Sequence, residues 1–97
     1  MSRQNDLLTK ALASWDTESQ LDMVIEECAE LIDAIQKYRR GRVKIDALIE
    51  EGVDVELCVA QLKLIANPDG LLWELWQTKK LERLERLLKL TDEKPSL

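Results

Sequence analysis

Histidine is absent from this sequence, and its absence removes several common kinds of catalytic site. Zinc sites with histidine ligands, Ser–His and Cys–His nucleophiles, and di-iron bundles built on Glu-x-x-His all require an imidazole. No apolar run approaches the ~18 residues of a membrane-spanning helix, and no leading segment resembles a signal peptide. With only two cysteines, Cys28 and Cys58, the sequence favours a cytoplasmic protein that keeps its thiols reduced.

Glycine and proline, which interrupt helices, are also scarce. Runs of β-branched or aromatic residues that alternate with period two, as in strands, are missing as well. We therefore predict an all-α fold, an antiparallel bundle of about four helices that is completed by oligomerisation. The predicted helices cover about 3–13, 17–39, 43–66 and 71–90. Either Asp16 or Thr17 is expected to cap the second helix, with Gln20 as the capping-box partner of Thr17, and a turn is expected over 67–70.

The length and the charge of the chain limit its organisation and its partners. Ninety-seven residues suit a single domain, placed over 1–97 with a core of about 16–90 and a polar tail over 91–97. A chain of this length buries only a thin core by itself, so a homodimer or homotetramer is expected. The net charge of −5 and the pI of about 4.8 argue against a broad contact with nucleic-acid phosphates. A nucleic acid is therefore not expected as a partner, and the lack of a membrane-spanning run means that a membrane is not expected either.

The second and third predicted helices each carry a stripe that is apolar or small at its ends and acidic in its middle. At about 100° per residue, the same 4-3-4 spacing aligns Met23, Glu27, Glu30 and Ala34 in the second helix, and Ala47, Glu51, Asp54 and Cys58 in the third. The two segments match without gaps at an offset of 24 residues, so Glu27 corresponds to Glu51 and Glu30 to Asp54. Because the connection around Gly41 is short, the helices should be antiparallel neighbours.

A separate apolar stripe on each of these helices is predicted to form the core. Its members recur at helical spacing, as Leu21, Val24, Ile25, Cys28, Leu31, Ile32 and Ile35 in the second helix, and as Ile45, Leu48, Ile49, Gly52, Val55 and Val59 in the third. Cys28 is accordingly expected to have a structural role. The acidic stripes would then lie beside the core.

Carboxylates that are held close together repel one another, and either protons or a cation must offset the repulsion. Oxygen ligands without cysteine or histidine suit Mg²⁺ or Mn²⁺. One interpretation is that Glu27, Glu30, Glu51 and Asp54 are metal ligands at a bundle interface. The other is that they are solvated side chains, since the chain carries 19 acidic residues. The matched position of the two stripes, each flanked by apolar residues, supports the metal hypothesis.

The pattern E-E-x-x-E at Glu26, Glu27 and Glu30, followed by E-x-x-D at Glu51 and Asp54, resembles the MazG-like nucleotide pyrophosphohydrolases. These enzymes belong to the all-α NTP pyrophosphatase superfamily, and the resemblance covers most of the chain. It implies a helical bundle that forms dimers or tetramers, with active sites at the contacts between chains. It also implies Mg²⁺-dependent hydrolysis of a nucleoside triphosphate to a monophosphate and pyrophosphate, which clears unwanted nucleotides from the pool.

By this resemblance, Glu27, Glu30, Glu51 and Asp54 hold Mg²⁺, for which Mn²⁺ is a substitute, and Glu26 orients or deprotonates the attacking water. Two other activities of the same superfamily remain alternatives, those of a phosphoribosyl-ATP pyrophosphohydrolase and of a dimeric dUTPase-like enzyme. A third alternative, from a different class, is a non-catalytic helical assembly module. Metal dependence would separate the enzymes from the module.

Three further residues are candidates for contact with the substrate. Lys80 and Arg83 would supply positive charge opposite a triphosphate, or else belong to a solvated face of the fourth helix. Trp15, just before the second helix, is the best candidate for stacking on a base, although tryptophans more often anchor cores and interfaces. Where many MazG-like proteins carry an aromatic residue one turn after the E-x-x-D aspartate, this chain has Cys58.

Overall fold

The structure, a computed structural model, describes residues 2–93 of the chain, with side chains described for residues 2–90. Four α-helices make up most of it: α1 is Arg3–Ser14, α2 is Thr17–Arg39, α3 is Ile45–Ala66 and α4 is Leu71–Glu93. Residues 2–93 contain no strand, which confirms the predicted all-α fold. Three short connections join the helices in sequence.

The start of α2 is fixed by Asp16, one of the two caps that the sequence proposed. Its Oδ1 accepts a hydrogen bond from the backbone N–H of Ser19 at 2.8 Å, and its Oδ2 accepts one from the Ser19 hydroxyl. These bonds favour the carboxylate and lower the pKa of Asp16. The predicted capping box is wrong, because Thr17 is already helical and Gln20 donates instead to the carbonyl of Trp15.

The other helix boundaries agree with the sequence to within a few residues. Helix α3 begins at Ile45, two residues later than predicted, after Gly41 has turned the chain with a φ of 71°. The turn over 67–70 forms as expected and starts α4, where Asn67 Oδ1 accepts from the N–H of Trp73 at 2.9 Å. Helix α4 continues to Glu93, so the first three residues of the predicted polar tail are helical. The rest of that tail, 94–97, lies outside the described residues.

Helices α2 and α3 pack along their lengths as an antiparallel hairpin. The direction follows from the pairing, since Gln20 near the start of α2 bonds to Gln61 near the end of α3. Further along the hairpin, Glu27 and Asp54 lie close together. Helix α1 packs more lightly against α3, and α4 has no comparable packing against the other helices within the described residues. The hairpin is therefore the organising unit of the chain.

The interior of the hairpin is not the one that the apolar stripes predicted. Ala34 and Cys58, which belong to the second stripes, are buried, whereas Ile25 and Ile49 of the predicted core stripes are 68% and 58% exposed. Ile32 is exposed as well. The stripes that carry the carboxylates therefore face the contact between α2 and α3. Five of the thirteen predicted core residues are exposed, and the other eight are half-buried.

The isolated chain is extended for its size. Its radius of gyration is 17.6 Å, against about 13 Å for a compact domain of this length. Its accessible surface is 8117 Å², against roughly 5,700 Å² for a compact monomer of its mass. Within the described residues, none of the helices combines the length and the apolar character needed to cross a membrane.

Candidate metal centre

Three carboxylates from the two matched stripes meet in the middle of the hairpin. Glu27 of α2 and Glu51 and Asp54 of α3 each offer one oxygen, and these oxygens all lie within 4.8 Å of one another. Ligand oxygens around an octahedral Mg²⁺ are separated by roughly 3 to 4.2 Å, so small side-chain rotations would bring the three into coordinating range. The antiparallel packing of α2 and α3 brings these carboxylates together, because the acidic middle of one stripe lies opposite the acidic middle of the other.

Two of these carboxylates have an oxygen that neither water nor a hydrogen-bond donor reaches. Glu27 Oε2 and Glu51 Oε2 are both buried and without a hydrogen-bond partner among the described residues. Buried polar atoms are nearly always satisfied in folded proteins, and an unsatisfied charged oxygen is costly. A cation bound between the helices would supply the missing partner for both atoms.

The electrostatic surroundings favour protonation of the same two groups when no cation is bound. Desolvation raises the pKa of Glu27, and the negative charges of Glu30 and Asp54 raise it further. Desolvation likewise raises the pKa of Glu51, followed by the charges of Glu30, Asp54 and Glu50. Repulsion among these carboxylates therefore destabilises the cluster, and a bound divalent cation would relieve it.

The fourth proposed ligand, Glu30, lies at the edge of the cluster. It is exposed and does not belong to the set of oxygens that meet within 4.8 Å. Its carboxyl nevertheless lies within hydrogen-bonding reach of both Glu27 and Glu51, and its charge and this contact both raise the pKa values of the two groups. Glu26, the proposed catalytic residue, also lies outside that set, on the exposed side of α2 next to Glu27.

A cleft of about 240 Å³ opens beside the carboxylates and includes the tryptophan that the sequence proposed for stacking. Its walls come from α1, α2 and α3 and from the α1–α2 junction, and the lining residues are Leu8, Ala11, Trp15, Met23, Glu27, Asp54, Leu57, Cys58 and Gln61. Trp15 is thus placed on the same cleft as two of the proposed metal ligands. Cys58 is buried in the wall of this cleft, and desolvation raises the pKa of its thiol. The thiol is therefore neutral near neutral pH.

A buried pair of glutamines is the feature of this region that the sequence did not reveal. Gln20 is fully buried and Gln61 is 4% exposed. The Nε2 of Gln61 donates to Gln20 Oε1, and the Nε2 of Gln20 donates to the carbonyl of Trp15 at 2.8 Å. One indication was available: both residues continue the acidic stripes by one helical repeat of seven residues, from Glu27 and Asp54.

The remaining candidates lie on α4, and neither of them lines the cleft beside the carboxylates. Lys80 lines a second cleft, of about 480 Å³, together with Trp73 and Trp76. Arg83 is exposed one turn further along α4. The described chain therefore brings Trp15 to the acidic cluster and does not bring Lys80 or Arg83 there.

These observations define an all-α protein with a cluster of carboxylates inside a helical hairpin and a cleft beside it. Comparisons of the chain with protein-family models, with curated proteins and with solved structures find no match. The residues and their geometry are therefore the basis for a functional proposal.

Proposed function

We propose that the protein is a Mg²⁺-dependent nucleoside triphosphate pyrophosphohydrolase that resembles the MazG-like enzymes. The observation that carries the proposal is the pair of buried oxygens without partners, Glu27 Oε2 and Glu51 Oε2, which face a common cluster with Asp54. Solvated surface carboxylates would not leave such atoms inside a helix interface. The E-E-x-x-E and E-x-x-D patterns add the likeness to this class of enzyme.

The donor set fits Mg²⁺, because it consists of carboxylates only and has one open side. Glu27, Glu51 and Asp54 would hold the ion, with Glu30 joining from the edge of the cluster. Bound Mg²⁺ neutralises triphosphate charge and lowers the pKa of coordinated water. The helices hold the carboxylates in place, so the ion-binding groups are ordered before the substrate arrives.

In the proposed reaction, water attacks phosphorus, the bridging bond between the α- and β-phosphates breaks, and monophosphate and pyrophosphate leave. Glu26 is the candidate to orient this water and accept its proton, because it lies next to Glu27 and its carboxylate is exposed. Trp15 would stack on the base from the wall of the cleft. Lys80 and Arg83 would reach the phosphates from a partner chain, since their own α4 packs little against α2 and α3.

A homodimer or homotetramer is part of the proposal. Helix α4 exposes a series of large apolar side chains, Leu71, Leu72, Leu75, Trp76, Leu81, Leu84, Leu87, Leu88 and Leu90. The surface in excess of a compact monomer is about 2,400 Å², which is the scale that obligate interfaces bury. Association would cover this surface and bring basic residues of one chain towards the carboxylates of another.

The test is pyrophosphate release by the purified protein across a panel of ribonucleoside and deoxyribonucleoside triphosphates, with Mg²⁺ and with EDTA. We expect pyrophosphate and monophosphate in equal amounts with Mg²⁺ and none with EDTA. Orthophosphate release would indicate different phosphoryl chemistry. No release by folded protein would overturn the proposal and direct attention to phosphoribosyl-ATP or to an assembly module.

A further inference from the structure

We propose that Gln61 reads the nucleobase in the cleft and selects cytosine and adenine, whose amino group lies beside an acceptor ring nitrogen, while Gln20 fixes the orientation of the Gln61 amide. The inference rests on the proposed function, because it concerns substrate choice at the same cleft. It is carried by the buried hydrogen bonds of the two glutamines and by the position of Gln61 in the cleft wall.

The orientation of Gln20 is set by the backbone. Its Nε2 donates to the carbonyl of Trp15 at 2.8 Å and lies 3.3 Å from the carbonyl of Asp16. A carbonyl only accepts hydrogen bonds, so the amide nitrogen of Gln20 must point towards these two groups. Its Oε1 then points the other way, into the contact with α3. Because Gln20 is fully buried, water cannot substitute for either bond.

The orientation of Gln61 follows from that of Gln20. Since Gln20 presents an oxygen, Gln61 must present its Nε2, as the hydrogen bond between them shows. Turning the Gln61 amide over would set two carbonyl oxygens against each other in a buried place and leave both unsatisfied. The groups that Gln61 can offer to the cleft are therefore its Oε1, as an acceptor, and its second N–H, as a donor.

This fixed pair of groups matches one class of base edge. Cytosine and adenine present an amino group beside a ring nitrogen, and an amide makes two hydrogen bonds to such an edge. In the same pose, with the base stacked on Trp15 and its phosphates at the carboxylates, uracil and hypoxanthine would set a carbonyl against Gln61 Oε1 and a ring N–H against the amide N–H. Trp15 lines the same cleft and its carbonyl anchors Gln20, so the groups that would stack on the base and read its edge are held in place relative to each other.

The decisive experiment compares base pairs of nearly equal shape, dCTP with dUTP and dATP with dITP, by the kcat/KM for pyrophosphate release with Mg²⁺. We expect the amino member of each pair to be favoured by roughly ten- to hundredfold. Equal rates within each pair, or preference for the carbonyl member, would overturn the inference and leave the proposed function standing. Absence of pyrophosphate from every nucleotide would instead overturn the proposed function, and this inference with it.

Substitutions of the two glutamines distinguish a role in base recognition from a role in packing alone. Gln61→Met should bring both ratios close to one, and Gln20→Met should do the same by freeing the Gln61 amide to turn. Gln36→Met, the same change at an exposed position of α2, should leave the ratios unchanged. A purely structural role for the glutamines would lower both members of each pair together and keep the ratios, which would contradict the proposal. If a variant does not fold, the wild-type ratios still decide.

Discussion

At the scale of single residues, the most informative groups are the two carboxylates whose buried oxygens have no partner. Glu27 and Glu51 lie on facing helices, and the pKa of each is raised by desolvation and by its neighbours' charges. A packed hairpin without a function for these groups would be more stable with neutral side chains in their place. Without a cation, the proposed site is therefore destabilised by its own charges.

This strain leads to a prediction about Glu51. In EDTA at neutral pH, Glu51→Gln should raise the melting temperature by a few degrees, because an amide can donate to Glu27 or Asp54 where a carboxylate repels them. The same change should remove the stabilisation by Mg²⁺ and reduce pyrophosphate release at least a hundredfold, since a metal ligand is lost. Thermal unfolding with and without Mg²⁺, and turnover, are the measurements.

The matched control for this prediction is Glu56→Gln, which removes an equal charge from an exposed position of α3. It should change neither the response to Mg²⁺ nor the turnover. A Glu51→Gln protein that is less stable in EDTA, or that keeps normal turnover, would remove Glu51 from the site.

The raised pKa values also predict a dependence of stability on pH. Between the ordinary glutamate value of 4.5 and their raised values, Glu27 and Glu51 hold more protons in the folded state than in the unfolded state. Their contribution to stability is therefore lost as the pH rises through this range and stays lost above it. In EDTA, the melting temperature should fall from pH 4.5 towards neutrality, and Mg²⁺ should restore more of it at the higher pH, where the carboxylates are free to bind.

The control for the pH prediction is a double variant, Glu27→Gln with Glu51→Gln. Above pH 4.5, the melting temperature of this variant should depend much less on pH. At lower pH it should still fall, because the pKa of Asp16 is lowered in the fold and protonation of this group costs stability. An equal slope in the wild type and the double variant would show that other groups cause it.

At the scale of the helices, two glycines differ in backbone conformation and therefore in the expected effect of replacement by alanine. Gly41 turns the chain between α2 and α3 with a φ of 71°, whereas Gly52 lies inside α3 without a positive φ. A Cβ added at either position would meet nothing within 4 Å. Any effect of alanine at these positions in the single chain therefore comes from the backbone.

We predict that Gly41→Ala lowers the free energy of unfolding by about 1 kcal/mol, because an alanine is strained in the left-handed region. Gly52→Ala should raise it by about 0.5–1 kcal/mol, because alanine favours the helix. Urea unfolding followed by far-UV circular dichroism measures both. If Gly52→Ala destabilises the protein instead, a partner chain must approach α3 closely at that point.

At the scale of the whole molecule, the chain exposes more apolar surface than a stable monomer would. Helix α4 has little packing against its own chain, and its leucines are exposed. The radius of gyration of 17.6 Å is likewise larger than that of a compact domain of this length. These properties are the reason for the proposed assembly with other copies.

We predict that the wild type is an oligomer in solution and that Leu84→Glu with Leu88→Glu shifts it towards the monomer and reduces its helix content. Both leucines are exposed on one side of α4, so the charges would be buried only in an assembly. Light scattering coupled to size exclusion measures the mass. Glu82→Gln, on the same helix, should leave the mass unchanged. A monomeric wild type at micromolar concentration would contradict the proposed assembly.

The sequence by itself determined the local structure. Scarce glycine and proline, the cap at Asp16 and the turn over 67–70 placed all four helices, because caps and breakers act within a few residues of themselves. The repeated acidic pattern and the short connection at Gly41 also predicted that Glu27, Glu30, Glu51 and Asp54 would come together, and the carboxylates of Glu27, Glu51 and Asp54 do so. These conclusions needed no knowledge of distant contacts.

The tertiary structure decided which face of each helix is inside. The sequence placed Ile25 and Ile49 in the core, yet the hairpin buries Ala34 and Cys58 instead. Periodicity shows which residues share a face, but it does not show which neighbour covers that face. The bond between Gln20 and Gln61 was beyond the sequence for the same reason, because it joins residues 41 positions apart through the packing of two helices.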